Sequence, residues 1–302
     1  MYHIYSEEDR QNYENAKIAS ENGERTKAFK YYLKAAEAGI VPAMTACGNM
    51  YLDGKGTKKD LQKALEWFQK AAEFNNVVAI NNIGYIHETQ ENYKEALKWY
   101  KRAAELNDAV AMMNLAGLYF MGWGTRKNEK LGQHWIDKAE SLTDLKSLKE
   151  IAHYYSELED TEKAIEFYEK AADLDDSDSM NELGDIYMEI DDADKAEYWY
   201  YKAAKAGNVD AMTSLGIIFI FDYEDFEKAY YWLEKAISGG NTYALQMMGD
   251  LYNKFEQYPK ALRWYRKATQ AGEWGAFEDI HKVKQLIQTA APNYKLRLRT
   301  LA

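Results

Sequence analysis

The stretch Leu183–Met212 reads LGDIYMEIDDADKAEYWYYKAAKAGNVDAM. Within it Ala196, Trp199 and Ala203 stand at i, i+3 and i+7, the spacing of one face of an α-helix. The same trio recurs along the chain. Its first member is Ala28, Ala64, Ala96, Gly132, Ala164, Ala196, Ala229 and Ala261, at steps of 36, 32, 36, 32, 32, 33 and 32 residues. Its second is aromatic each time: Tyr31, Trp67, Trp99, Trp135, Phe167, Trp199, Trp232 and Trp264. Its third is always alanine, from Ala35 and Ala71 to Ala268. A face that alternates small and large lets a neighbouring helix come close, and predicts that the aromatic fills the space beside the small residue. Eleven residues past each first member stand Gly39, Asn75, Asn107, Thr143, Asp175, Gly207, Gly240 and Gly272. Gly and Asn best tolerate the left-handed conformation that closes a helix, so each of these B helices is expected to stop there.

A second amphipathic run, helix A, precedes each B helix. Its copies include AMTACGNMYL, AINNIGYIHE, SMNELGDIYM and ALQMMGDLYN, and the sixth residue is always small: Gly48, Gly84, Ala116, Ala152, Gly184, Gly216 and Gly249. The ninth is aromatic in six copies, and His87 takes that place once. A mid-helix glycine costs about 1 kcal/mol relative to alanine, so its recurrence predicts close approach by another helix.

With Gly, Tyr, Ala, Trp and Ala-Ala in register, Leu183–Met212 and Cys47–Ala72 (CGNMYLDGKGTKKDLQKALEWFQKAA) resemble the Sel-1-like repeat family, a relative of the tetratricopeptide repeats. The resemblance covers about residues 12–277. It implies an all-α fold: a right-handed α-solenoid superhelix of about eight helix pairs, with a concave face lined by the A helices. Residues Gly275–Thr289 read as a capping helix. Residues 1–290 are expected to form one domain, and 291–302 a basic tail.

The chain has 302 residues, of which 47% are hydrophobic and 3 are proline, and a net charge of −11. That composition suits a helical globular chain and argues against nucleic acid or an anionic membrane as partner. A single cysteine, Cys47, excludes an intrachain disulfide and fits a reducing compartment. The start, MYHIYSEEDRQNYENAK, lacks the basic and apolar segments of a signal peptide, and no run of 18 apolar residues occurs. A cytoplasmic, bacterial protein is expected.

Asp53–Asp60, DGKGTKKD, holds glycines, lysine and threonine as a phosphate loop does, and Met121–Asn128, MGWGTRKN, repeats it. Neither follows a strand or fits GxxxxGK[ST], so both read as inter-helix turns. HETQE at His87–Glu91 lacks the second histidine of a zinc-protease helix, and Cys47 occupies an apolar core position. No cofactor or metal is expected.

In the tetratricopeptide relatives the groove is lined by A-helix positions two and three before the small residue, one after it and five after it. Mapped by that resemblance, Asn49, Asn82, Asn114 and Asn181 form an amide ladder able to hold a peptide backbone. Tyr85, Met121 and Phe221 are apolar anchors. Glu182, Asp185 and Glu189 favour basic side chains. The expected function is a non-enzymatic scaffold or adaptor, a monomer or weak homo-oligomer, whose concave groove takes a protein or peptide, ligands with basic segments included. The resemblance also allows an immunity or regulatory protein that neutralises a toxin or effector. A β-lactamase-like hydrolase ranks last, because the cysteine pairs of such relatives are missing and no Ser-x-x-Lys set is complete. After Pro292 the chain reads NYKLRLRTLA, where Lys295, Arg297 and Arg299 alternate with Leu296 and Leu298. This segment is either disordered or docked in an acidic groove, its own or a neighbour's.

Overall fold

The structure is a computed structural model and describes residues 6–289. The basic tail lies outside the described residues. Those residues form seventeen α-helices and no strand, an all-α solenoid of consecutive helix pairs. They divide into two compact units, one ending at Tyr154 and one beginning at Tyr155.

The first unit holds α1 (Glu7–Glu21), α2 (Arg25–Glu37), α3 (Val41–Asp53), α4 (Leu61–Ala72), α5 (Val77–Thr89), α6 (Tyr93–Glu105), α7 (Ala109–Met121), α8 (Glu129–Glu140) and most of α9 (Leu145–Glu157). The second holds α10 (Thr161–Ala172), α11 (Ser177–Glu189), α12 (Ala193–Lys205), α13 (Val209–Phe221), α14 (Phe226–Ser238), α15 (Tyr243–Lys254), α16 (Tyr258–Gln270) and the final α17 (Gly275–Thr289). Odd-numbered helices from α1 to α15 are the A helices and even-numbered ones the B helices. Within the units, α1, α3, α5, α7, α11, α13 and α15 each pack on the B helix that follows, and α17 closes the second unit against α16 and α15. No helix of the described residues is long and apolar enough to cross a membrane.

Local chemistry sets the boundaries. Asp60, Asn76, Asp108, Asn128, Asp160, Asp176, Asp192, Asn208 and Asp225 are N-caps whose side chains accept a backbone N–H three residues on. The expected B-helix stops take positive φ at Gly39, Asn75, Asn107, Asp175, Gly207, Gly240 and Gly272. Asp175 adopts the left-handed conformation as readily as the two asparagines do, because its short polar side chain bonds locally.

The close approach at the A-helix glycines is real, but its agent differs from the expected one. A Cβ placed on Gly184 would lie 2.4 Å from Cδ1 of Tyr200. Gly48 likewise faces Phe68, Gly84 faces Tyr100, Gly216 faces Leu233 and Gly249 faces Tyr265. Each occupant stands four residues after the ladder position, one past the aromatic singled out in the sequence. On a helix the i+3 and i+4 positions flank position i on opposite sides, and only the i+4 side is turned to the partner A helix. The i+3 tryptophans lie on the other flank under a cation from the next turn, while Phe167, also beside a lysine, stacks on Tyr155 with ring centres 6.0 Å apart. Lys70 Nζ sits 4.0 Å from the Trp67 ring centre, Lys170 4.1 Å from Phe167, Lys202 4.7 Å from Trp199 and Lys267 4.0 Å from Trp264. In α8 the roles reverse: the glycine is on the B helix, Gly132, and Phe120 of α7 fills the notch.

The two glycine loops pack backbone on backbone. Gly54 and Gly122 cap α3 and α7 in the left-handed conformation. A Cβ on Gly56 would lie 2.3 Å from the Arg25 carbonyl oxygen, and one on Gly124 2.4 Å from that of Tyr93. The loops thus rest on the starts of α2 and α6, whose N-cap residues Glu24 and Asn92 make no side-chain cap. Trp123 stacks on Tyr93 with ring centres 4.8 Å apart.

Candidate functional site: the A-helix faces

In the first unit, positions −3, −2, +1 and +5 from the small residue fall within one arc of about 100° on the A helix. The structure joins two amide pairs across this face. Asn82 Nδ2 donates to Asn49 Oδ1 at 2.8 Å, linking α5 to α3. Asn114 Nδ2 donates to Asn81 Oδ1 at 3.4 Å, linking α7 to α5. The ladder therefore consists of two cross-helix pairs, and Asn81, outside the predicted set, is its fourth member here. An amide at −2 on one A helix, facing an amide at +1 or −3 on the A helix before it, is the signal that reveals the pairing. Each pair keeps one whole NH2 group and one carbonyl oxygen outside the bond that joins it. Beside them Tyr85 is 47% exposed and Met121, at the end of α7, is 61% exposed.

Asn181 belongs to the second unit and to a different arrangement. Its Nδ2 donates to Asp185 Oδ2 at 3.1 Å on the same helix, and its Oδ1 is buried without a protein partner. Tyr200 Oη donates to the other Asp185 oxygen at 2.6 Å. Asp185, a half-buried carboxylate, accepts both bonds from within the fold, because Gly184 lets the Tyr200 ring reach across α11. Burial, more than the nearby Glu189 charge, raises its carboxyl above the usual range, opposed by these hydrogen bonds. Glu182 and Glu189 stay exposed one turn away on either side, and Phe221 is 51% exposed at the end of α13.

The tyrosine–carboxylate bond recurs. Tyr265 Oη donates to Asp250 Oδ1 at 2.6 Å over Gly249, and Tyr100 Oη to Glu88 Oε2 at 2.6 Å over Gly84. Burial pushes the Asp250 carboxyl up to about 6. The tyrosines four residues past the ladder position, with an acid one or four past the glycine, are the sequence signal for this contact. Cys47 is fully buried, and burial pushes its thiol up to about 12, which leaves it protonated and unreactive. His87 is half-buried on α5, and no group of three or more potential metal ligands forms among the described residues.

Paired helices with small residues at the contact, rings in the notches and a polar A-helix face match a known profile. The Sel1 repeat matches residues 20–40, 41–73, 109–144, 177–208, 210–241 and 244–273, more than half of the chain. The chain belongs to the Sel1 repeat family. Tetratricopeptide repeat profiles match 77–109 and 145–178, two of the helix pairs that lack the glycine loop. A Sel1 array of this kind is a protein–protein interaction scaffold.

A segment of 60 residues is 35% identical to the chitin synthase regulator SKT5 of Saccharomyces cerevisiae, covering 20% of this chain and 9% of that protein. Among solved structures, c5321, a protective antigen of uropathogenic Escherichia coli with an SLR fold, is 26% identical, with a TM-score of 0.46 over 93% of this chain and 65% of its own. Yeast Tom70 has a TM-score of 0.55 at 15% identity, over 98% of this chain and 67% of its own, a likeness of fold. The chain thus spans less than a tenth of the regulator and about two thirds of the antigen.

Proposed function

We propose that the A-helix face binds a protein or peptide without catalysing its conversion. The observation that carries this reading is the preformed row in the first unit: the pairs Asn49–Asn82 and Asn81–Asn114 held across three helices between exposed Tyr85 and Met121. Amides already bonded to each other are oriented before a ligand arrives, so little ordering entropy is lost on binding. Their unused donors and acceptors suit a peptide backbone, and the flanking ring and thioether supply apolar anchors. In the second unit Glu182 and Glu189 steer a basic segment, and Phe221 offers an anchor. A cytoplasmic setting accords with the lone, buried Cys47.

The test is affinity capture followed by titration of the captured partner. Tyr85→Glu/Met121→Glu alters only exposed side chains and should weaken the partner at least about tenfold. Leu106→Glu, at the exposed residue just past the end of the B helix α6, should leave affinity unchanged. Equal affinity for the wild type and the first variant would overturn the reading.

A further inference from the structure

The second unit has an apolar edge rimmed with acid. Its A helices and α17 run parallel, as cross-helix bonds at their starts show. Asn208 Nδ2, before α13, donates to Asp178 of α11 at 3.2 Å. Asn241 Nδ2, before α15, donates to Asp210 of α13 at 2.8 Å, and Gln246 of α15 donates to Asp279 of α17 at 2.9 Å. The ends of α11, α13, α15 and α17 therefore lie side by side. There Lys254 pairs with Glu224 at 2.9 Å, and Tyr223 Oη donates to Asp194 at 3.4 Å. Ile190, Phe221 and Tyr223 are exposed along this edge.

Charge on the edge is graded. The turn from α11 to α12 carries Glu189, Asp191, Asp192 and Asp194 against Lys195. The turn from α13 to α14 carries Asp222, Glu224, Asp225 and Glu227 against Lys228. The turn from α15 to α16 has Glu256 against Lys254 and Lys260. Helix C-termini add their own negative potential.

Helix α17 delivers the chain to this same edge at Thr289. Residues 290–294 are uncharged, and Lys295, Arg297 and Arg299 follow with Leu296 and Leu298 between them. At up to ~3.4 Å per residue, Lys295 comes within ~20 Å of Thr289 and Arg299 within ~34 Å. Neighbouring helix axes about 8–10 Å apart put the ends of α13 and α11 roughly 20 and 30 Å away. The uncharged residues pass the one turn whose balance is basic, and the cations arrive at the two acidic turns.

We propose that residues 293–302 dock along this edge, with Leu296 and Leu298 on Phe221, Tyr223 and Ile190 and the long basic side chains reaching over to the acids. The occupant is thus the chain's own basic segment. The proposal is independent of the binding role of the A-helix face, with which it shares only Glu189 and Phe221.

Amide hydrogen exchange of the full chain tests it. In wild type at low salt the segment 219–226 should be protected. In K295E/R297E/R299E, or in salt near ~1 M, it should exchange about tenfold faster. Adding D222K/E227K to the reversed tail should restore protection. A zero-length carboxyl–amine cross-linker should join Lys295 to the 222–227 segment within one chain at every protein concentration. Equal exchange in wild type and the tail variant would sink the proposal. So would cross-links that form only between chains and grow with concentration, which would place the segment on a second copy.

Discussion

Tyr200 donates its hydroxyl to Asp185 at 2.6 Å while its ring fills the notch above Gly184, so one side chain joins α11 and α12 by packing and by a hydrogen bond. A methyl group at that notch has nowhere to go. Gly184→Ala is expected to lose about 1 kcal/mol net, because overpacking of ~1–3 kcal/mol exceeds the ~1 kcal/mol gained in helix propensity. Gly117, in the middle of α7, has nothing within 4 Å of a Cβ. Gly117→Ala should therefore stabilise by up to ~1 kcal/mol. Urea unfolding of both variants checks the opposite signs.

Asp250 titrates in the folded protein at about 6, against 3.8 for the free side chain. The folded state holds its proton where the unfolded state has lost it, so this group's contribution to stability falls as pH rises from about 4 to about 6 and is level above. Asp250→Asn removes that dependence and still offers an oxygen to Tyr265. Stability of the variant relative to wild type should rise by at most about 3 kcal/mol between pH 4 and pH 7, read from unfolding curves at each pH. A difference that does not change with pH would refute the assignment.

Gly124 and Gly207 both take positive φ, at 71° and 96°. Only Gly124 has a backbone carbonyl, that of Tyr93, in the path of a Cβ. Gly207→Ala should cost the conformational strain alone, about 1 kcal/mol. Gly124→Ala adds a clash that the backbone of α6 cannot yield to, and should cost at least about twice as much. Thermal melts of the two variants measure the difference.

Asn49 and Asn82 meet in a half-exposed hydrogen bond. Asn82→Ala should cost ~0.5–1.5 kcal/mol of stability. A double-mutant cycle with Asn49→Ala should return a coupling of at least about 0.5 kcal/mol. Zero coupling would show that the two amides do not act as a pair.

The repeat period, the helix pairs and their left-handed stops were legible in the sequence, because each is set by residues a few positions apart, as Gly207 stands eleven after Ala196. Small residues at the sixth A-helix position also foretold a close contact. Which side chain makes that contact was decided only in three dimensions. The i+3 tryptophan and the i+4 tyrosine differ by one residue along the chain, yet the rotation of the B helix against its partner sends Tyr200 into the notch and leaves Trp199 under Lys202. The same rotation bonds Asp185 to Tyr200 and pairs Asn82 with Asn49 but Asn114 with Asn81. Local propensity chooses the helices. The choice of which polar groups spend their hydrogen bonds inside the fold, and which keep them for a partner, belongs to helix packing, because it joins residues about 15 to 33 positions apart whose meeting no short-range pattern specifies.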